Sequence, residues 1–396
     1  ILFCLMAFVI GLSAGSTVLV GQAWGAQNVE KVRCVVGSTL FMTLIGGTVV
    51  AAFGVIFAKQ ILLLLGTDPN VMHLSLPYVQ WMLAGSPLLF VYIIYTSILR
   101  GVGDSITPLI ALSLTSAIGL VITPVLIAGY FGFPKLGIVA PAVATIVGYM
   151  AVLLFLAVYL NKRNHPLKPD RALLRQIRHQ PKLSKIILRL GIPTGIQMVT
   201  TSVAGLVIVG LVNRYGSEAT AAYGAVNQVL NYIQFPALSI AIAASIFAAQ
   251  AIGAGKSDLL NKVTRTALGM NVVFTGGLVI LGYLASKYLM ALFITDPKVV
   301  ELGQQLLFIV LWSIVFFGAS AIFASIMRAS GTVTVPMIIN IVAIILIEVP
   351  CAYLFSDWWG LQGIWYAYAL AFFSLCLMQG LYYQFVWKKK TITALV

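Results

Sequence analysis

Long apolar stretches separated by short polar breaks run along the whole chain. Each stretch is continuous in Leu, Ile, Val and Ala and does not alternate with a period of two, which favours helices over strands. Each is also about 20 residues long, the length of helix that crosses the hydrocarbon core of a bilayer. The pattern predicts eleven spanning helices, at about residues 1–21, 35–58, 76–99, 107–130, 137–160, 186–212, 221–249, 265–288, 301–326, 333–355 and 362–387.

Composition and charge agree with a multi-pass membrane protein. Of the 396 residues, 61% are hydrophobic and only 9% are charged, and the mean hydropathy is +1.03, whereas a soluble domain carries about 25% charged residues. The net charge is +14, but 19 of the 24 Lys and Arg residues fall on one side of the predicted membrane. The positive-inside rule places that side in the cytoplasm. The charge therefore sets the topology in the cell membrane, and we expect no nucleic-acid partner.

The second half of the chain repeats the first at a nearly constant distance. The stretch "SILRGVGDSITP" at 97–108 returns as "SIMRASGTVTVP" at 325–336, 228 residues later. At the same distance, "GTDPNV" at 66–71 returns as "ITDPKV" at 294–299. Matches that stay in register over such a length indicate an internal duplication.

The duplication predicts an all-α membrane protein with two six-helix lobes. The helix at 186–212 has its counterpart before residue 1, so we expect twelve helices in the complete protein and a first helix that this chain lacks. Six is an even number, so the two copies share one orientation about a pseudo-two-fold axis along the membrane normal. The predicted units are an N-lobe at 1–160, a basic cytoplasmic linker at 161–185 and a C-lobe at 186–396. A short surface helix is expected in the linker, at about 171–180.

The repeated motif ends one helix and starts the next on the cytoplasmic side. Its Gly permits a tight reversal, and its Pro suits the first turn of a helix, where a missing N–H costs nothing. Arg100 and Arg328 lie at the preceding helix C-termini, where a cation interacts favourably with the helix dipole and the inner headgroups. We interpret both as cytoplasmic anchors, with the latching of a gate as the alternative.

One acidic residue, Glu348 in "ILIEVPCAY", lies well inside a predicted span. An ionised carboxylate there costs roughly 2.5–3.5 kcal/mol or more, so an acid within a span is a functional candidate. Burial favours the protonated form, and Glu348 is the predicted ion-coupling residue; a neutral side chain bonded to a neighbouring helix is the structural alternative. Pro350 frees the Leu346 carbonyl, and it forms a predicted hinge pair with its repeat counterpart, Pro124.

Polar side chains also follow one face of the predicted helix at 221–249. Lipid offers amides no hydrogen-bonding partner, so this face should look toward protein or water. Hydrogen bonding between helices and the lining of a cavity are the two interpretations. By helix direction the stripe and Glu348 share the outer half of the membrane, and two polar residues of the preceding helix can join them. The predicted substrate and ion cavity comprises Gln197, Thr201, Tyr223, Asn227, Gln228, Asn231 and Gln234.

The reactive side chains argue against an enzyme. The three histidines lie in connections, and the chain has no HExxH, GxSxG or P-loop motif. The four cysteines form no CxxC or metal-binding spacing. We therefore expect no metal site and no cofactor.

The motifs resemble the multidrug and toxic compound extrusion (MATE) family. The resemblance rests on "GQAWGAQN" with "AQAIGAGK", on "LRGVGDSITP" with "MRASGTVTVP", and on the helix centres "ITPVLI" and "EVPCAY". It covers essentially the whole chain, in order and in both halves. It implies two six-helix lobes around a central cleft. It also implies an antiporter that exports organic cations or other amphipathic compounds in exchange for H⁺ or Na⁺, and we expect the protein to be a monomer.

The sequence departs from the family pattern at three positions. The coupling aspartate that many members carry on the first helix has no counterpart, and an acid found on the seventh helix of some members falls near Thr201. The usual Asp-Pro of the fifth helix reads Thr123-Pro124. A lipid-linked saccharide flippase is the first alternative function, disfavoured because no Lys or Arg lies in the middle of a span. A channel or non-transporting membrane protein is the second.

Overall fold

The computed structural model describes residues 2–64 and 66–396. The chain forms two compact units, residues 1–192 and 193–396. The helices that begin in the first unit are α1 (Leu2–Gly25), α2 (Val29–Leu64), α3 (Pro69–Ala84), α4 (Ser86–Gly101), α5 (Ile106–Ala128), α6 (Ala140–Lys162), α7 (Arg171–Arg175) and α8 (Pro181–Val212). Short 3₁₀ turns at Tyr130–Gly132 and Gly137–Val139 connect α5 to α6.

The second unit contains the end of α8 and eight further helices. These are α9 (Ser217–Gly253), α10 (Leu259–Leu284), α11 (Ser286–Ala291), α12 (Pro297–Val310), α13 (Ile314–Ala329), α14 (Thr334–Val342), α15 (Val349–Trp359) and α16 (Leu361–Phe385). A π-helical segment, Ala343–Glu348, joins α14 to α15. Three 3₁₀ turns complete the unit, at Asn213–Tyr215, Leu311–Ser313 and Trp387–Lys389.

The predicted number of spans is confirmed over the part of the chain that the structure describes. Ten helices are long and apolar enough to cross a membrane, and α3 with α4 makes an eleventh span that is bent by 45°. The span predicted at 76–99 corresponds to this bent pair, and the sequence did not predict the bend. Pro87 has no N–H with which to continue the hydrogen bonding of α3. Gly85 accommodates the bend, since a Cβ there would lie 2.5 Å from Ile146 of α6.

The internal duplication is visible in the helices themselves. Helices α4 and α13 begin and end at positions 228 residues apart. Helix α1 packs on α2 and α4, and its counterpart α9 packs on α10 and α13. The two copies of the Asp-Pro motif cap their helices alike: Asp68 accepts a hydrogen bond from the Asn70 N–H at 2.7 Å, and Asp296 accepts one from the Lys298 N–H at 2.9 Å.

The two repeated breaks have the geometry that the sequence predicts. Gly103 has a φ of 92° and Gly331 a φ of 86°, a left-handed conformation that glycine adopts without strain. Arg100 and Arg328 lie in the last turns of α4 and α13. The Arg100 guanidinium donates to the Ser97 hydroxyl at 2.7 Å, which holds it against its own helix.

The basic linker is folded onto the first unit. Arg33 of α2 pairs with Asp170 at 3.3 Å and donates to the Pro166 carbonyl at 3.1 Å. A Cβ at Gly37 of α2 would lie 2.2 Å from the Gln176 carbonyl oxygen. The glycine therefore lets the backbone of the linker lie directly on α2.

The helix within the linker is shorter than predicted. It covers Arg171–Arg175, whereas the sequence predicted about 171–180. Asp170 starts it by accepting a hydrogen bond from the Leu173 N–H at 2.8 Å. The next helix already starts at Pro181. The residue before a proline disfavours the α conformation, so Gln180 separates the two helices.

Candidate functional site

The predicted polar stripe lies on α9, with its members at different depths. Tyr223 is only 8% exposed. Asn227 and Gln234 are half-buried, while Gln228 and Asn231 are exposed. One end of the stripe therefore belongs to the core of the second unit, and the remainder presents amide groups at its surface.

Tyr223 is one of a pair of tyrosines. Its hydroxyl lies 2.9 Å from the hydroxyl of Tyr368 on α16. Its ring packs on Trp365 with the centroids 5.4 Å apart, and Trp365 packs on Tyr368 at 5.5 Å. Trp365 is fully buried, and its Nε1 has no hydrogen-bond partner among the described residues. A buried N–H without a partner is uncommon, and it gives this aromatic cluster an unused hydrogen-bond donor within the core.

The segment that carries Glu348 adjoins the helix that carries this cluster. Glu348 is half-buried and ends the π segment, which packs on α16. Helix α16 is in turn joined to α9 by the tyrosine pair. The three elements that carry Glu348, Tyr368 and Tyr223 therefore lie in sequence against one another.

The π segment sets the local backbone around the acid. The N–H of Val349 bonds to the Ile344 carbonyl, five residues earlier, which widens the turn that carries Glu348. Pro350 follows in the first turn of α15 and cannot donate to the preceding turn. Single π turns inside helices are frequent at functional sites. Pro124, the other predicted hinge, lies inside the continuous helix α5.

The structure does not join every predicted cavity residue to the tyrosine pair. Gln197 and Thr201 lie on α8, after Pro193. The Thr201 hydroxyl is exposed and donates to the Gln197 carbonyl at 3.0 Å, within its own helix. Thr201 therefore uses its hydrogen-bond donor locally.

Two residues of the cluster, Trp365 and Tyr368, were missed by reasoning from the sequence. They lie three residues apart in "GIWYAYALAFF" at 363–373, a spacing that places them on one helix face. That stretch carries five aromatic side chains, and aromatic residues are common at membrane interfaces. Only the contacts show which of them belong to the cluster with Tyr223.

The described residues contain no group of three or more His, Cys, Asp or Glu side chains that could hold a metal ion. The arrangement offers instead one carboxyl group, two phenol hydroxyls and an indole N–H within an apolar core. Such a set can bind and release a proton or a monovalent cation, and it carries no nucleophile paired with a base.

Comparisons with known proteins identify the family. The MatE family model matches residues 1–125 and 193–354. The chain is 46% identical to the "Probable multidrug resistance protein YoeA" of Bacillus subtilis, over 100% of this chain and 86% of the relative. It is 29% identical to the "Probable multidrug resistance protein YpnP" of the same organism, over 97% of this chain and 84% of the relative.

A solved structure shares the fold. A crystal structure of the Vibrio cholerae MATE transporter VcmN superposes with a TM-score of 0.90 and 19% identity, covering 98% of this chain and 87% of that one. The apolar helices and the bacterial relatives agree with a multi-pass protein of the plasma membrane. With the family model matching both copies of the repeat, this chain belongs to the MATE family of multidrug efflux transporters.

Proposed function

We propose that this transporter is an antiporter that exports organic cations or other amphipathic small molecules in exchange for H⁺ or Na⁺, with Glu348 as the coupling acid. The observation that supports this most directly is the position of Glu348. Its span runs from Thr334 to Trp359, so the acid lies about 16 Å from the nearer end of the helix. The other nine acidic residues lie in connections or near helix ends.

The surroundings of Glu348 fit a site that binds and releases a proton or a cation. Tyr368, on the helix against which the π segment packs, offers a hydroxyl that can donate to a carboxylate and accept from a carboxylic acid. Neither Arg nor Lys pairs with Glu348 among the described residues, so protonation or a bound cation is what neutralises it. The exposed amides Gln228 and Asn231 give the adjoining surface of α9 polar groups that can orient a substrate.

The experiment is efflux driven by an imposed gradient. Ethidium transport is measured in everted vesicles that contain the intact transporter or the Glu348→Gln variant, first with a pH gradient and then with a Na⁺ gradient. Exchange of one ethidium cation for one H⁺ or Na⁺ moves no net charge, so the ion gradient itself drives it: a tenfold gradient supplies about 1.4 kcal/mol, which sustains a substrate concentration ratio of about tenfold. The wild type should respond to one of the gradients, and Glu348→Gln should abolish that response.

Glu301→Gln is the matched control, because Glu301 lies near the start of α12 and is exposed. It should transport like the wild type. Wild-type gradient dependence in Glu348→Gln would refute the assignment of Glu348. If ethidium transport by the wild type depended on neither gradient, the result would instead favour a passive pore.

A further inference from the structure

Two open grooves meet on the surface of the second unit, between α10, α13 and α16. The first, here the basic groove, has a volume of about 370 Å³ and includes Thr264, Arg265, Tyr383, Gln384 and Lys388 in its lining. The second, here the aromatic groove, has a volume of about 290 Å³ and includes Phe316, Phe373, Leu377 and Leu381. Phe323 and Gly380 line both grooves, so the two form one continuous surface depression.

The basic groove has two cations and no acid. Arg265 and Lys388 are both exposed, and neither forms an ion pair within the described part of the chain. Asp258, the acid nearest to Arg265 along the chain, lies outside the lining of the groove. A guanidinium and an ammonium group with no carboxylate partner complement a phosphate group.

The floor of the basic groove is rigid. The Tyr383 hydroxyl lies 2.7 Å from that of Thr264, and both residues are buried. The Tyr383 ring stacks on Trp387 at 5.0 Å, and the Lys388 ammonium lies 5.5 Å from the Tyr383 ring centroid. Trp387 is fixed in turn by donating to the Ser330 hydroxyl at 3.0 Å. The position of Lys388 is therefore set by packing, although its head faces solvent.

The aromatic groove continues from the basic groove along α16. Phe373, Leu377, Leu381 and Gln384 follow one another at helical spacing on one face. From Phe373 to Gln384 this stripe runs about 16 Å along the helix axis, and its three apolar members are 42%, 51% and 47% exposed. This apolar track ends at the basic groove. The combined surface therefore has an apolar part that can pack against an acyl chain and a basic part that can bind an anionic headgroup.

The position of the basic groove in the membrane indicates which class of lipid it binds. The basic groove lies at the ends of α10 and α16 that carry Lys262 and the terminal lysines Lys389 and Lys390, the side that the positive-inside rule places in the cytoplasm. Anionic phospholipids supply the negative surface potential of the cytoplasmic leaflet. We propose that the two grooves bind one anionic glycerophospholipid of that leaflet, with its phosphate between Arg265 and Lys388 and an acyl chain against Phe323, Phe373 and Leu377.

The test measures lipid retention by native mass spectrometry of the intact detergent-purified transporter. The probes are phosphatidylglycerol, phosphatidylcholine and inorganic phosphate. The Arg265→Gln/Lys388→Gln variant should bind phosphatidylglycerol about 25-fold more weakly, because each basic residue near an anionic surface contributes about fivefold. The Lys287→Gln/Lys298→Gln variant removes two charges from the opposite end of the same unit and should bind like the wild type.

A second variant tests the acyl chain without changing charge. A Cβ at Gly380 lies 3.4 Å from the Phe323 ring, an ordinary contact, so Gly380→Leu fills the junction of the grooves without forcing the backbone. It should lower phosphatidylglycerol retention by tenfold or more, while Gly276→Leu, at a position with no atom within 4 Å, should not. Unchanged retention in either groove variant would overturn the proposal. Equal binding of phosphatidylcholine, or displacement by inorganic phosphate alone, would also overturn it.

Discussion

At the scale of single residues, the hydroxyl pair of Tyr223 and Tyr368 joins α9 to α16, the helix on which the segment that carries Glu348 packs. Both tyrosines also pack on the buried Trp365. A buried hydroxyl that loses its partner costs about 1–3 kcal/mol, whereas removing both partners together can be nearly neutral. The pair can therefore be tested for stability independently of transport.

We expect Tyr368→Phe to lower the free energy of unfolding by about 1 kcal/mol, because the Tyr223 hydroxyl is left unpaired. The Tyr223→Phe/Tyr368→Phe variant should recover most of that loss. Thermal unfolding of the detergent-solubilised protein measures both. Tyr366→Phe is the control, since Tyr366 is 43% exposed on the same helix; an equal loss of stability there would contradict the importance of the pair.

At the scale of helices, glycines set how closely neighbouring helices approach. A Cβ at Gly318 of α13 would lie 2.1 Å from the Asn271 Oδ1 on α10. Asn271 is fully buried, donates to the Val315 carbonyl at 2.9 Å and accepts from the Thr275 hydroxyl at 2.9 Å. It cannot move aside without breaking these bonds.

Gly318→Ala should therefore lower the free energy of unfolding by about 1–3 kcal/mol. Gly276→Ala adds the same methyl group to α10 where no atom lies within 4 Å, and it should stabilise the helix by up to about 1 kcal/mol. The midpoint of thermal unfolding compares the two variants. Equal shifts in both would mean that the contact between α10 and α13 is less tight than the structure indicates.

The linker contains a histidine whose pKa is lowered by burial. The His165 Nδ1 accepts a hydrogen bond from the Leu167 N–H at 3.1 Å, and its Nε2 lies 3.8 Å from Asp104. Burial lowers the pKa of His165 below its ordinary 6.5, and the charge of Asp104 offsets part of that shift. Since the folded linker favours the neutral imidazole, its stability is complete above pH 6.5 and falls as the pH drops through the lowered pKa.

Limited proteolysis of the linker should accordingly be faster at pH 5 than at pH 7.5, after normalisation to an unfolded substrate. His165→Asn retains a side-chain oxygen that can accept from the backbone two residues on, but it does not titrate. Its cleavage rate should not respond to pH in this range. A pH response that persists in His165→Asn would assign the effect to another group.

At the scale of the whole molecule, the charge distribution predicts the orientation in the membrane. Lys162 ends α6 on the predicted cytoplasmic side, and Lys298 begins α12 on the other side; both are exposed. With the native cysteines replaced by serine, Lys298→Cys should react with a membrane-impermeant maleimide in intact cells. Lys162→Cys should react only after permeabilisation. The reverse pattern would invert the topology.

The sequence by itself determined the all-helical class, the number of spans, the duplication and the family. Each of these depends on a property that acts along the chain: lipid requires every backbone group to be paired within its own helix, and a duplicated motif repeats its caps, as Asp68 and Asp296 do. Glu348 was found for the same reason, because a single acid in an apolar run is visible without any partner.

The tertiary structure decided what surrounds that acid. The π turn at Ala343–Glu348 and the bend at Gly85 depend on packing against other helices, and one sequence window does not contain those neighbours. Trp365 and Tyr368 are two of many aromatic residues until the contacts place them beside Tyr223, on the helix against which the segment of Glu348 packs. The meeting of the basic and aromatic grooves has the same origin, because Arg265, Phe323 and Lys388 come from separate elements that only folding brings together.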